Sequence, residues 1–267
     1  MMNPKTYPEY DFQRRFGGIA RTYGTAKLER FMQAHVCVIG VGGVGSWAVE
    51  ALARSGVGQL TLIDLDNVAE SNINRQLPAL SSTVGMAKIE VLHQRIVEIN
   101  PGCKVNLIED FIDTDNIPQL INSETEHRYD YVLDCIDNFR LKAAMIAHCK
   151  RHKIPVITVG GAGGQCDPTK IRLTDLTRSQ HDPLLSRVRK QLRQEYGFSR
   201  NPKRRFDVAC VWSEEQMVFP DINGGVTRER PETAPAEGLS CAGGIGSVMS
   251  VTAGFALFAV SHVLNKL

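Results

Sequence analysis

Four glycines, Gly40, Gly42, Gly43 and Gly45, form a turn with the pattern GxGxxG. They follow the apolar run 36–39, which predicts a buried parallel strand, and precede residues 46–54, which predict a helix. A glycine turn between a strand and a helix presents bare backbone N–H groups at the positive helix end, where a phosphate binds. The motif alone is a weak signal, and a turn that only packs the helix on a sheet is the alternative. The strand and helix on either side favour a nucleotide site.

Polar residues after the second predicted strand, 59–63, extend this site. Asp64 lies roughly 20 residues beyond the glycines, the spacing at which an acidic side chain accepts hydrogen bonds from a ribose. The polar stretch 65–76 then continues past the carboxyl end of that strand, where ligands bind in open α/β sheets. Lys88 lies in the first turn of a helix predicted over 85–98. A lysine there opposes the helix dipole, and a nearby triphosphate would stabilise it.

Asp137 follows the apolar run 129–133, which predicts another strand. Two compatible interpretations stay open for this carboxylate. It caps the helix predicted over 140–152, or it holds a Mg²⁺ that bridges phosphates.

Arg14 and Arg15 precede the first strand and a helix predicted over 25–32. Guanidinium groups pair bidentately with phosphate oxygens, so these arginines are candidates for a phosphate contact. Composition alone favours a solvated surface.

Two later stretches carry further candidate chemistry. Residues 160–165 hold four glycines after the strand predicted over 156–159, which indicates a tight turn or a backbone that lets a substrate approach closely. Cys241 precedes small residues ahead of a predicted helix, and a helix N-terminus lowers the pKa of a thiol. A small buried side chain is the alternative for this cysteine.

The alternation of strands and helices positions these residues. It predicts an α/β fold: a Rossmann-like, mainly parallel sheet with helices on both faces and right-handed crossovers, plus a C-terminal extension. We expect a single domain over 1–267. Its parts are an N-terminal arm over 1–33, a nucleotide-binding core over 34–180, a basic helix with mobile loops over 181–240 and a C-terminal helix over 241–267.

Positive charge is concentrated in one stretch. The net charge is only +2, but 187–205 contains eight Lys or Arg and one acid, Glu195. A solvated basic helix followed by a basic loop is one interpretation, and a surface for RNA phosphates is the other. The candidate RNA-binding residues are Arg187, Arg189, Lys190, Arg193, Arg200, Lys203, Arg204 and Arg205.

Cysteine usage and hydropathy bear on the compartment. The seven cysteines have no regular spacing and form no CxxC pair, which favours reduced thiols in the cytoplasm and disfavours a four-cysteine zinc site. The first ten residues are polar and do not resemble a signal peptide. Residues 241–262 hold no Lys, Arg, Asp or Glu and are long enough to cross a membrane. Their glycines, serines and threonines favour a buried core helix, with membrane association left open.

These motifs together resemble the ubiquitin-activating-enzyme (E1-like) superfamily, which includes the adenylating enzymes of molybdopterin and thiamine biosynthesis. The resemblance rests on five ordered motifs, and within the superfamily the dehydratase branch that acts on threonylcarbamoyladenosine in tRNA is most similar. That branch is indicated by 13–18, by 160–168 and by the setting of Cys241. The five motifs are 40–45, 64–66, 72–76, 85–88 and 134–138.

The resemblance implies roles for particular residues. Asp64 would bind the ribose of ATP, and Asp66 would belong to the same site. Asn72, Arg75 and Lys88 would hold the ATP phosphates. Asp137 would hold Mg²⁺, and Arg14 would reach the γ-phosphate in the partner subunit of a homodimer, which overrides the surface interpretation from composition. Cys241 would form a transient thioester or shape the pocket.

The implied reaction is adenylation of the threonyl carboxylate, followed by cyclisation with loss of AMP. The implied substrate is the anticodon loop of tRNA rather than DNA, and a sulfur-transfer protein is a further possible partner. Adenylation of a ubiquitin-like sulfur carrier is the main alternative. A nicotinamide dehydrogenase and a non-catalytic RNA-binding scaffold are the others.

Overall fold

The computed structural model describes residues 10–122, 128–221, 223–229 and 245–267. In these residues the chain builds a seven-stranded sheet with the order β3-β2-β1-β4-β5-β7-β6, and a separate ribbon of β8 and β9. The strands are β1 His35–Ile39, β2 Gln59–Ile63, β3 Lys104–Ile108, β4 Tyr131–Asp134, β5 Val156–Val159, β6 Ile171–Asp175, β7 Ala209–Ser213, β8 Phe219–Pro220 and β9 Val226–Thr227.

Every neighbouring pair from β3 to β7 is parallel, and only the edge strand β6 runs antiparallel to its neighbour. Ile39 is level with Ile63 on one side and with Asp134 on the other. The carboxyl ends of the three central strands therefore meet at one edge of the sheet, which confirms the predicted mainly parallel architecture.

Helices cover both faces of the sheet. One apolar cluster joins the sheet to α1, α2, α3, α4 and α8, and a second joins the opposite face to α5, α6 and α7. Strand β1 contributes alternate residues to the two clusters, Val36 to the first and Cys37 to the second, as a strand buried on both faces must. The helices are α1 Phe12–Tyr23, α2 Thr25–Gln33, α3 Gly45–Arg54, α4 Lys88–Ile99, α5 Ile117–Leu120, α6 Phe139–Arg151, α7 Pro183–Glu195 and α8 Met249–Lys266.

The last helix packs on α3 and on the strands β5, β6 and β7. Its buried face includes Phe255 and Val260, whereas Leu257 and Phe258 are exposed. The expected buried C-terminal helix is thus present, although it begins at Met249; positions 241–244 lie outside the described residues. Within the described part of the chain, no helix combines the length and the hydropathy that a membrane crossing needs.

Several boundaries differ from the sequence prediction. Helix α4 begins at Lys88, not at residue 85, because Gly85 has a φ of 90°. Strand β4 begins at Tyr131, not at 129, and ends at Asp134. The loop predicted over 220–238 contains the short β8–β9 ribbon, and its positions 222 and 230–238 lie outside the described residues.

Helix α1 and strand β7, like the β8–β9 ribbon, were not predicted. Helix α1 contains Gly17 and Gly18, which disfavour a helix, yet Asp11 caps it and the Phe12 and Phe16 rings pack 4.7 Å apart. Strand β7 inserts between β5 and β6, a pairing that depends on tertiary contacts and not on local pattern.

Candidate active site

The glycine turn lies at the carboxyl end of β1, between β2 and β4. From β1 the chain continues through α3 to β2, which pairs with one side of β1, whereas β4 pairs with the other side. The strand order therefore reverses at β1, and the glycine turn faces the crevice at this point. Such a crevice is where open α/β sheets bind ligands. The site is built on the rigid ends of buried strands.

The glycines of the turn are required for different reasons. Gly40 has a φ of 80°, and a Cβ there would lie 3.0 Å from Ile136 Cγ2. A Cβ on Gly45 would lie 1.8 Å from the Gly40 carbonyl oxygen, which no packing accommodates. A Cβ on Gly43 would meet Thr252 at 3.3 Å, but one on Gly42 would make only ordinary contact. A ligand that approaches the backbone would account for Gly42.

Asp64 fastens the glycine turn to the end of β2. One carboxylate oxygen accepts a hydrogen bond from Val41 N at 2.7 Å, and the other accepts from Asp66 N at 2.9 Å. Burial raises the pKa of Asp64 above its usual value, although the positive charge of Lys88 opposes this. Each oxygen keeps a second lone pair, so the carboxylate can still accept from a ribose hydroxyl.

Lys88 is the first residue of α4 and is only 4% exposed. Its ammonium Nζ lies 2.7 Å from Asp66 Oδ2, and its backbone N–H donates to the Asp66 carbonyl oxygen. Asp66 thus compensates the charge of a lysine that opposes the helix dipole, a partner that the sequence analysis did not assign. The side chain of Asp66 is 60% exposed, so the pair borders solvent in the crevice.

The crossover after β2 brings the polar motif 72–76 to the turn. The buried Asn72 accepts from Ala69 N at 3.1 Å, which holds a turn of 3-10 helix in place. Arg75 Nη1 donates to the Ser71 carbonyl oxygen and to Asn74 Oδ1, and its own carbonyl oxygen accepts from Trp47 on α3. The half-buried guanidinium is therefore held by its own loop.

Gln76 ends the motif 72–76 and has a distinct position in the structure. It is 8% exposed, and its Nε2 lies 3.7 Å from where a Cβ on Gly42 would be. Its Oε1 is buried without a hydrogen-bond partner among the described residues. A buried amide with an unsatisfied oxygen beside the turn is a group that a bound ligand or water can satisfy.

Asp137 is exposed beyond the end of β4, and the prediction that it caps α6 is wrong. Asn138 is the cap, because its side chain accepts from the backbone N–H groups of Arg140 and Leu141. Asp137 makes no hydrogen bond within the described part of the chain. Its carboxylate is therefore available to a cation or to solvent.

The buried charges behind the site were not anticipated. Lys142 on α6 and Asp134 at the end of β4 are both fully buried, with Nζ 2.9 Å from Oδ1. Thr158 on β5 donates to the second oxygen of Asp134 at 2.7 Å and accepts from Lys142. This buried triad fixes the carboxyl ends of two neighbouring strands.

The glycine-rich loop after β5 is shaped mostly by the protein. A Cβ on Gly160 would lie 1.9 Å from Asp182 Oδ2, and one on Gly164 would lie 2.7 Å from the Val218 carbonyl oxygen. Gly161 has open space instead, and its N–H donates to Asp182. Of the two interpretations, a packed turn fits Gly160 and Gly164, and close substrate approach fits Gly161.

Cys241 lies outside the described residues. The segment that resumes at Ile245 contacts the same loop, because Gly164 N donates to the Gly246 carbonyl oxygen at 2.7 Å. In the described part of the chain the cysteines form no disulfide, and burial raises the pKa of Cys135 and of Cys149 to about 12. These two thiols are not nucleophilic near neutral pH.

The two N-terminal arginines have different surroundings. Arg15 donates to the carbonyl oxygens of Glu98 and Ile99, at the C-terminus of α4. The side chain of Arg14 is exposed and makes no hydrogen bond to the described residues. Helix α4 has 12 residues, so the carbonyl oxygens that Arg15 contacts lie roughly 17 Å along its axis from Lys88. Arg14 is the neighbouring residue on α1, and α1 thus contacts the end of α4 opposite to Lys88.

The candidate RNA-binding residues divide into two groups. Arg187 and Arg193 stack on the rings of Phe139 and Phe206, and Arg189 donates to Ser179. These three side chains are half-buried and hold α7 in place. The exposed group consists of Lys190, Arg200, Lys203, Arg204 and Arg205.

Comparison with known proteins places the chain in a class. The family model described as the ThiF family matches residues 14–267, and the chain belongs to this family. A tRNA threonylcarbamoyladenosine dehydratase of Haemophilus influenzae is 51% identical over 96% of this chain and 94% of its own length.

Solved structures agree with this relationship. The E. coli tRNA N6-threonylcarbamoyladenosine dehydratase in complex with ATP is 46% identical, covers 97% of this chain and 96% of that chain, and has a TM-score of 0.84. The same enzyme in complex with AMP is 45% identical, covers 98% of this chain and 97% of that chain, and has a TM-score of 0.83.

Proposed function

We propose that this chain catalyses the ATP-dependent dehydration of N6-threonylcarbamoyladenosine in tRNA, which closes a ring between the carboxylate and the urea of the threonylcarbamoyl group. The observation that carries this proposal is similarity to dehydratases over nearly the whole chain, including one solved with ATP and one with AMP. The glycine turn at the strand switch point supplies the nucleotide site that the reaction needs.

Different residues of the crevice hold different parts of ATP. The N–H groups of the glycine turn and the N-terminus of α3 face the phosphates, and Asp64 accepts from the ribose. Arg75 and Lys88 place positive charge against the phosphates, with Asn72 fixing the loop that carries Arg75. Mg²⁺ binds proteins through one or two carboxylates plus substrate phosphates, so the exposed Asp137 fits it. Bound there, it would neutralise charge on the departing pyrophosphate.

The chemistry converts a poor leaving group into a good one. A threonyl carboxylate oxygen attacks the α-phosphorus of ATP, pyrophosphate leaves, and an acyl-adenylate forms. The urea group then attacks the activated carbonyl carbon, a urea proton is released, and AMP departs with the former carboxylate oxygen. The net change is the loss of one water. Ring closure is intramolecular and profits from high effective molarity, so positioning and charge stabilisation supply most of the catalysis.

Cys241 has two roles consistent with this sequence of steps. Its thiolate would accept the acyl group as a transient thioester before ring closure, or its small side chain would shape the pocket. The position of Ile245 and Gly246 beside the loop of Gly161 supports placing this segment near the substrate.

A homodimer accounts for Arg14. Its exposed side chain belongs to α1, which contacts the end of α4 opposite to Lys88, and we assign its γ-phosphate contact to the crevice of a second subunit. The exposed group of basic side chains around 200–205 fits the phosphate backbone of the anticodon arm. A sulfur-transfer protein is a further proposed partner. A cytoplasmic location remains part of the proposal, on the irregular spacing of the cysteines in the sequence.

The decisive experiment incubates the purified chain with ATP, Mg²⁺ and tRNA that carries the threonylcarbamoyl base, and then measures nucleoside masses. We expect a product lighter by one water, formed together with an equal amount of AMP, and no product without ATP. Lys88→Met should abolish it, whereas Lys104→Met, at an exposed lysine on β3, should not. ATP–pyrophosphate exchange that needs a small protein ending in Gly-Gly instead of tRNA would favour the sulfur-carrier alternative.

A further inference from the structure

Two adjoining cavities of about 700 Å³ and 480 Å³ open at the amino edge of the sheet, opposite to the glycine turn. They share Tyr131, Pro155 and Lys266, and their floor is formed where β4, β5 and β7 begin. We call this feature the amino-edge groove. Its basic lining residues are Arg30, Arg128, Lys150, Lys153, Arg205 and Lys266.

The acidic residues of the groove are mostly committed to other partners. Asp130 pairs with Arg30 and also accepts from His35 N at 2.8 Å. Burial opposes ionisation of Asp175, but hydrogen bonds from Thr177 and from two backbone N–H groups hold its pKa below the usual value. Asp207 is the remaining acidic side chain that lines the cavities.

The cations, by contrast, are largely uncompensated. The side chains of Lys153, Arg205 and Lys266 form no hydrogen bond or ion pair with the described residues. Lys150 and Arg128 donate only to backbone carbonyl oxygens, at 3.2 Å and 3.4 Å. Several cations line one concave surface and outnumber its uncommitted acidic side chains, which is the electrostatic pattern of an anion site.

The shape and lining of the amino-edge groove favour one class of ligand, the phosphate backbone of a nucleic acid. Tyr129 and Tyr131 are each only 6% exposed, and Tyr131 is hydrogen-bonded to His262, so neither ring offers a stacking platform for a base. Arg205 connects the groove to the exposed basic loop 200–205. A continuous track of cations without exposed aromatic rings suits phosphodiesters of a folded RNA.

We propose that the amino-edge groove binds the RNA backbone of the substrate at nucleotides away from the reacting base. This inference rests on the proposed function, because it assumes a tRNA substrate. The reacting nucleotide occupies the crevice at the carboxyl edge, and the groove holds a separate part of the same molecule. The groove would then raise affinity for the whole tRNA without touching the chemistry.

The test compares one doubly substituted variant of the groove, in the full chain, with the unaltered chain and with one singly substituted control. Lys153 has a φ of 55°, so Lys153→Asn suits its left-handed backbone, and it is combined with Lys266→Gln. We expect KM for tRNA to rise roughly tenfold, kcat at saturating tRNA to stay unchanged, and the slope of log affinity against log salt to fall in magnitude by about two. The Kd for ATP and the melting temperature should match those of the unaltered chain.

Lys104→Asn is the matched control. Lys104 is an exposed lysine at the same amino edge of the sheet. It begins β3, which lies four strand spacings, roughly 19 Å, from β5, the strand that follows Lys153. It should leave KM and the salt slope unchanged. If the groove variant behaves like this control while tRNA is still dehydrated, the groove proposal is overturned, an acidic protein partner becomes the better occupant, and the proposed function stands. If the unaltered chain neither binds nor dehydrates tRNA, both proposals fail.

Discussion

A Cβ atom added to Gly45 would lie 1.8 Å from the Gly40 carbonyl oxygen, whereas one added to Gly42 would lie 3.7 Å from Gln76 Nε2. Both positions are glycines of the same motif, but the structural reason for a glycine differs between them. Gly45 is needed so that α3 can leave the turn in contact with β1. Gly42 is needed only if something approaches the turn from the crevice.

This difference gives a prediction at the residue scale. Gly42→Ala should fold with nearly the stability of the unaltered chain, yet bind ATP at least tenfold more weakly, because the added methyl group takes the space of a phosphate. Gly45→Ala should lose about 3 kcal/mol or more of unfolding free energy through overpacking. Urea unfolding and nucleotide titration measure the two effects separately. Equal ATP affinity for Gly42→Ala and the unaltered chain would remove the phosphate from this place.

The same scale shows what the sequence could and could not predict about the site. The glycines, Asp64 and Lys88 were predicted because each belongs to a local motif with known spacing from a strand or helix end. The pairing of Lys88 with Asp66 was not, since 22 residues separate the two and only the crossover geometry joins them. Asn138 and not Asp137 caps α6, and the helix begins one residue earlier than predicted, at Phe139 instead of Arg140.

At the scale of elements, α3 and α4 are joined by one carboxylate. Glu50 on α3 is hydrogen-bonded to Arg95 on α4 and to Arg54 on its own helix. Burial disfavours its ionised form, but these arginines outweigh burial and hold the pKa of Glu50 below its usual value. Because α3 follows the glycine turn and α4 begins with Lys88, this contact fixes the two helix N-termini that border the crevice.

Glu50→Gln should therefore lower the unfolding free energy at neutral pH by about 1–2 kcal/mol, a value reduced for the partial exposure of both arginines. Since the folded pKa is lowered, the stabilisation is present above the unfolded pKa and is lost as pH falls through the folded value. Urea unfolding between neutral and acidic pH should show the two curves converging on the acid side. Glu29→Gln, at an exposed position in the middle of α2, is the control and should shift stability by less than about 0.5 kcal/mol.

Most elements followed from periodicity, and the exceptions have physical reasons. The central strands were predicted because they are buried on both faces and appear as uninterrupted apolar runs. Helix α1 was missed because Gly17 and Gly18 disfavour a helix, and what stabilises it is its cap and its tertiary contacts. The place of β7 between β5 and β6 is a matter of strand pairing, which local pattern does not encode.

At the scale of the whole molecule, the two edges of the sheet have different surroundings. The carboxyl edge carries the glycine turn, Lys88 and Asp137, and the amino edge carries the groove with its uncompensated cations. Beneath the carboxyl edge, the buried triad of Lys142, Asp134 and Thr158 joins α6, β4 and β5. No single motif predicted this triad, because its members are brought together only when the sheet forms.

The triad leads to a prediction about the stability of the molecule as a whole. Lys142→Met leaves the carboxylate of Asp134 buried without a cation, so the unfolding free energy should fall by about 3–5 kcal/mol. Lys142→Met combined with Asp134→Asn removes both charges and should recover at least about 1 kcal/mol of that loss, because Thr158 can still donate to the amide oxygen. Lys150→Met, at an exposed position of the same helix, should cost under about 1 kcal/mol. Urea unfolding of the four chains measures these values. If the double variant were no more stable than Lys142→Met, the lysine would act through its packing and not through its charge.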